Sequence, residues 1–312
     1  MPRPVRAAEK VIDEGPARAA DADAAHGLGF ERWVGFLTTF VAPATFLTGL
    51  LFYFGYVSSR EFFLYFGVDI DAIGLSSQEI VMRSPGVLFV PVMVVLLIAA
   101  ALVVAHRITR ARVREMSEAG RRRVIAGLAG AGVAVLMAGL VLAFLFAPLG
   151  AWPLYPFLTP LLLAVGAGLA GYAASTARVL RGGGAGRSTV ILLVSVMVAG
   201  TFWSAATVAQ WWGLGQARAL AADLGALPAV VLDTSERLYP GNPAITAQPL
   251  EVADEGQVFR YRYFGLRLLV HGGDRLFLVP DAWSADASTI VLADDEAVRV
   301  RFRFFPDEDP PT

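Results

Sequence analysis

The chain has 312 residues, 56% of them hydrophobic and 17% charged, with a net charge of −1; soluble domains carry about a quarter charged residues, so this apolar excess, gathered into runs, points to membrane spans rather than two soluble domains. The absence of cysteine excludes disulfides, zinc thiolates, iron–sulfur clusters and thiol nucleophiles. The small net charge hides an uneven layout, because the apolar half is basic while nine arginines stand against 15 acidic residues after Gly213.

Residues 1–32 are rich in Ala, Asp and Arg and poor in large apolar side chains, so the pattern predicts a disordered tail rather than a signal peptide. A first span is expected over 34–56, beginning after Trp33 and ending in Phe52, Tyr53, Phe54 and Tyr56, aromatics suited to the headgroup layer. Pro43 predicts a kink in it. The loop 57–85 carries two S-x-x-E signatures, Ser58 with Glu61 and Ser76 with Glu79, which predict short helices over 59–66 and 77–84. Phe62, Phe63, Tyr65 and Phe66 would lay the first of these on the bilayer surface, and Pro85-Gly86 would stop the second.

Further spans are expected over 87–104, 124–146, 156–173 and 188–211. Seven arginines between 107 and 123 separate the second from the third. The pairs Ala126/Gly130, Gly127/Ala131, Ala164/Gly168 and Ala167/Gly171 are small residues four apart, a spacing that lets two helix backbones approach closely, so the third and fourth spans should form a tight hairpin. Lys and Arg number five in the tail, seven in the second-to-third loop and three in the fourth-to-fifth, against two and none in the opposite loops. By the positive-inside rule the N-terminus is cytoplasmic, and an odd number of spans puts the C-terminal part outside the plasma membrane.

The expected outer domain, 214–306, is α+β. It starts with an Ala-rich helix over 214–224 and a strand over 228–233, followed by a long loop over 235–257. Phe259, Tyr261 and Tyr263 alternate with Arg260 and Arg262, and after Gly265 the apolar set slips to Leu266, Leu268 and Val270; one Gly at a phase slip predicts a β-bulge. His271-Gly-Gly-Asp274 is a hairpin signal. A second hairpin is expected over 289–304, with Arg299, Arg301 and Arg303 on one face and Val298, Val300, Phe302 and Phe304 on the other. The result is a small antiparallel sheet with one apolar face, covered by the 214–224 helix. Residues 307–312 are expected to be a disordered end.

No nucleotide-binding, metalloprotease or serine-hydrolase motif is present, and His26, His106 and His271 are too dispersed to share a metal. Asp69 and Asp71 form a D-x-D triplet that could bind a divalent metal in an envelope enzyme, or simply cap turns. No ionisable residue falls well inside a span, which argues against a pump acting alone. Arg260, Arg262, Arg299, Arg301 and Arg303 could join into a basic patch for anionic headgroups or an anionic envelope polymer, or form a solvated face. The segment Tyr65-Phe-Gly-Val-Asp-Ile-Asp-Ala-Ile-Gly-Leu-Ser76, with Tyr261-Arg-Tyr-Phe-Gly-Leu-Arg-Leu-Leu269, Arg275-Leu-Phe-Leu-Val-Pro280 and Trp283, resembles a family of actinobacterial polytopic membrane proteins. That resemblance implies a shared architecture and no activity. The expectation is a multi-pass, non-enzymatic interaction, sensing or accessory subunit without cofactor or metal. Its surroundings are the lipid bilayer and a protein partner or second copy, with no nucleic acid. A subunit of a transport system is the alternative, and an envelope enzyme using Asp69 and Asp71 the third reading.

Overall fold

The computed structural model describes residues 42–181, 186–251, 256–284 and 286–303. The predicted tails, Phe304 and residues 34–41 of the first expected span lie outside them. The chain divides into two compact units, 1–50 and 51–312. Of the first, residues 42–50 are described, as the opening turns of α1; the packing that follows concerns the second.

Among the described residues seven helices precede the sheet: α1 (Ala42–Tyr65), α2 (Ile70–Ile73), α3 (Ser77–Glu115), α4 (Glu118–Phe144), α5 (Phe146–Leu149), α6 (Tyr155–Arg181) and α7 (Arg187–Ala222). Four are long and apolar enough to cross a membrane, over Ser77–Thr109, Glu118–Phe144, Tyr155–Arg178 and Arg187–Ala222. Their exposed surfaces are Val, Leu, Ile and Phe, as a lipid-facing helix requires. α1 is described from Ala42 onward, and over those residues it is not among the four.

Three expected breaks are absent. The 57–85 segment is not a free-standing pair of helices. Its first half is the last turns of α1, and its second half opens α3, with α2 between them. Pro85-Gly86 does not stop α3. Pro85 removes the N–H that would reach the Val81 carbonyl, and the Ser84 hydroxyl donates to that same carbonyl at 2.6 Å. Nor does Gly213 separate a fifth span from a 214–224 helix, because α7 runs through it. There the helix lies against the Ser58 backbone of α1, where a Cβ would strike the Ser58 carbonyl. The Ser76–Glu79 capping box is present: Glu79 N–H donates to Ser76 Oγ at 3.2 Å, and Ser76 N–H to Glu79 Oε2 at 2.8 Å. Ser58, at the other expected cap, is instead a buried residue inside α1.

The α4–α6 hairpin forms, but on different glycines from those the spacing singled out. Cβ atoms at Gly127 and Gly130 would meet nothing, whereas one at Gly132 would lie 2.5 Å from Ala170 N and one at Gly139 2.9 Å from Leu163 N. Gly166 is equally close to the Leu136 backbone. On α6, Ala164, Ala167 and Ala170 are buried as expected of a small-residue seam.

A 3-10 turn (Leu224–Ala226) leads from α7 into β1 (Ala229–Thr234), β2 (Thr246–Pro249), β3 (Tyr261–Gly272), β4 (Arg275–Pro280), β5 (Ile290–Ala293) and β6 (Val298–Phe302). The order is β5-β4-β3-β1-β6, all antiparallel, with β2 paired to the first half of β3. Both expected turns of phase and direction appear. Gly265 has φ 79°, and the β1–β3 register slips there, so that Val230 faces Leu266 while Leu232 faces Tyr263. Gly273 and Asp274 both have positive φ at the β3–β4 turn, the type I′ geometry of a two-residue hairpin.

The sheet is apolar on both faces, not one. Val230, Leu232, Tyr263, Leu266, Leu276 and Leu278 form the first face, capped by Ile245 of the long loop. The Tyr263 hydroxyl staples that loop by accepting from Leu238 N–H at 2.6 Å. The second face takes the helices. Val270 and Phe277 pack on Phe63, Ile70 and Ile73. Val279 packs on Phe66, Ala217 and Leu224. Phe63 and Phe66 are each 1% exposed, so the aromatic end of α1 is an anchor for the sheet and does not lie along a bilayer surface. Trp283 stacks edge-on against Phe66 at 4.9 Å, and Thr289 Oγ1 donates to the Phe66 carbonyl at 2.6 Å.

Candidate functional site

The alternation of β1 sends Val230, Leu232 and Thr234 to the first face and Val231 and Asp233 to the second. Asp233 sits near the end of β1, directly opposite Arg262 on β3 and Arg299 on β6. Its side chain is 0% exposed, and three arginines close over it. Arg262 Nε donates to Oδ1 at 2.7 Å and its terminal nitrogen to Oδ2 at 3.2 Å, a two-pronged pairing. Arg299 donates to Oδ2 at 2.8 Å, and Arg301 donates to Oδ1 at 3.4 Å with the same nitrogen 3.2 Å from Oδ2. The arginines are 27%, 50% and 47% exposed respectively. Three guanidinium groups on one carboxylate leave a surplus of two positive charges.

Burial pushes the Asp233 carboxyl upward, but hydrogen bonds from Arg262 and Arg299, with the charges of Arg262 and Arg301, outweigh it and hold the group below the usual carboxylate range. The same hydrogen bond holds the Arg262 guanidinium above its ordinary value. The cluster therefore stays charged across physiological pH. It has no nucleophile or proton donor in that range; what it can do is hold an anion.

The remaining expected residues are placed around this centre or away from it. Arg303 lies over the Phe264 ring at 5.9 Å, and Arg299 over Phe259 at 4.6 Å. Arg260 is exposed, and its backbone N–H donates to Thr234 O. The five arginines thus divide: three meet on Asp233, one lies against an aromatic ring and one faces solvent. Asp233 itself was not singled out in the sequence. A lone acid closing an otherwise apolar strand, in a domain with two strands of alternating arginine, was the available signal.

Asp69 and Asp71 are not part of this site. Asp69 N-caps α2, accepting from Asp71 N–H at 3.0 Å. Asp71 accepts from the Tyr56 hydroxyl at 3.3 Å. Their helix rests on the β3–β4 turn, where a Cβ on Gly272 would lie 2.7 Å from Ile73 O. The acidic pair and the arginine cluster therefore lie at opposite ends of β3. His106 Nδ1 meets the Tyr172 hydroxyl at 2.8 Å, and His271 Nε2 meets Asp294 at 3.2 Å. Among the described residues no group of three His, Asp or Glu is arranged to hold a metal. An open groove of about 690 Å³ is lined by Leu64, Tyr65 and Gly67 together with Trp283, Ser284 and Ser288.

Compared with protein families, curated proteins and solved structures, the chain matches none.

Proposed function

We propose that this chain is a five-span plasma-membrane protein whose sheet domain stands outside the cell and works as a non-enzymatic interaction, sensing or accessory subunit. In this reading the first expected span, 34–56, which includes the start of α1, joins the four as a further pass, and the kinship with actinobacterial membrane proteins belongs to the same proposal. One observation carries it. A rigid sheet, fastened through Phe63, Phe66 and Val279 to two long helices, presents half-exposed arginines organised by a buried acid. In this reading it is a presentation surface.

The topology is consistent with it. Following α3, α4, α6 and α7 as alternating passes, the connections bearing Arg107 to Arg123 and Arg178 to Arg187 fall at the end opposite the sheet. The positive-inside rule then puts the sheet outside. Crosslinking in intact cells, followed by affinity capture of the solubilised protein, tests the proposal. Stoichiometric recovery of a second membrane or envelope protein is the expected result. Recovery of this chain alone, under crosslinking that captures a known complex in the same cells, contradicts it.

A further inference from the structure

We infer that the free edge of β6 is a docking site for an extended acidic segment of a partner protein, one in which acidic and apolar side chains alternate. This deepens the interaction reading above and rests on it.

β6 pairs with β1 along one side, and among the described residues no strand pairs with its other side. The direction of its backbone groups can be read from its ends. The Ala297 carbonyl accepts from Ser235 N–H and the Arg303 N–H donates to Ala229 O, both toward β1. Backbone groups of alternate residues point the same way in an antiparallel strand. Arg299 and Arg301 therefore face β1, and Val300 and Phe302 turn their N–H and C=O outward, available to an added strand.

Side chains fix what that strand must carry. Val298, Val300 and Phe302 lie on one face of the edge, with Phe302 well exposed, and Arg299 and Arg301 on the other. Alternating neighbours across a new ladder would be apolar and acidic. Charges on an edge strand ordinarily guard it. Here Arg299 and Arg301 lean inward onto Asp233, leaving the backbone edge open while keeping the surplus positive charge beside it. The same charge disfavours a second copy as occupant, because two-fold β6–β6 pairing would bring these arginines against themselves. Ala229 and Arg267 lie at the junction with α7, where Arg267 donates to the Leu227 carbonyl at 2.9 Å, and Asp233 is four residues farther along β1, about 13 Å; a lipid surface as occupant is an outcome of the test below.

The test uses the full chain in phosphatidylcholine nanodiscs and fluorescein-labelled octapeptides, read by anisotropy. An alternating Val-Glu peptide should bind. N-methylation of the amides on its pairing edge should weaken binding at least about tenfold, as should R299Q/R301Q in a protein whose thermal transition is retained, and so should raising the salt. No binding by the Val-Glu peptide overturns the inference. Equal binding after N-methylation also overturns it, reducing the site to a plain charge patch. Displacement of the peptide by phosphatidylglycerol nanodiscs would assign the arginines to lipid headgroups instead. If cellular capture of a partner survives R299Q/R301Q, the interaction reading stands and the β6 edge is not its site.

Discussion

Asp233 is the residue on which the sheet turns. It joins β1, β3 and β6 through charged hydrogen bonds while wholly buried. Removing it would leave three arginines facing one another. Breaking a buried ion pair from one side costs about 3–5 kcal/mol, and the partial exposure of the arginines reduces this. Asp233→Ala should therefore destabilise the protein by roughly 2–3 kcal/mol, with Arg262→Gln next and Arg299→Gln least, as read from thermal transitions in detergent. The pH dependence has a definite sign. The folded carboxyl titrates below its unfolded value, so its contribution is full above the ordinary carboxylate pKa and is lost as pH falls through the folded one. The gap in transition temperature between wild type and Asp233→Asn should be constant near neutrality and narrow only below about pH 4. A gap that narrowed between pH 6 and 8 would contradict this account of the site.

At the scale of elements, close backbone approach does the work in the helices. Gly166→Ala should drive a methyl into the Leu136 backbone, and Gly132→Ala one into Ala170, whereas Gly127→Ala enters open space. The first two should lower the thermal transition. The third should leave it unchanged or raise it slightly, since Ala exceeds Gly in helix propensity by about 1 kcal/mol. In the sheet, Gly265→Ala meets both a positive φ and the Ala244 carbonyl, and a cost of about 1–3 kcal/mol is expected. What the sequence made legible follows from these cases. The Gly265 bulge, the 271–274 turn and the Ser76–Glu79 box are local, set by a few adjacent residues. The through-running helices were not legible. Whether Gly213 ends a helix depends on Ser58, far earlier in the chain, lying alongside, whereas Ser84 beside Pro85, whose hydroxyl takes the Val81 carbonyl, was a local signal that the pattern reading passed over. β2 was also missed, because Thr246-Ala-Gln-Pro249 has little strand character and is held by its pairing with β3.

At the scale of the whole molecule, the sheet and the long apolar helices are one packed body from residue 51 onward. The phenylalanine-rich end of α1 was compatible with both a bilayer surface and a protein core; only the partner residues Val270, Phe277 and Val279, some 200 positions later in the chain, decide between them. Phe63→Ala should consequently cost about 3–5 kcal/mol and expose sites in the sheet to limited proteolysis, which a side chain lying in lipid headgroups would not do. The central claim is that this body has its sheet outside and its arginine-rich turns inside. The most direct test introduces single cysteines at Ser288 and Met116, both exposed positions at opposite ends, into a chain that has no cysteine of its own. Intact cells are then treated with a membrane-impermeant maleimide. Labelling at 288 alone, with 116 labelled only after lysis, is the predicted result. Labelling at 116 alone would invert the molecule and make the sheet a cytoplasmic module.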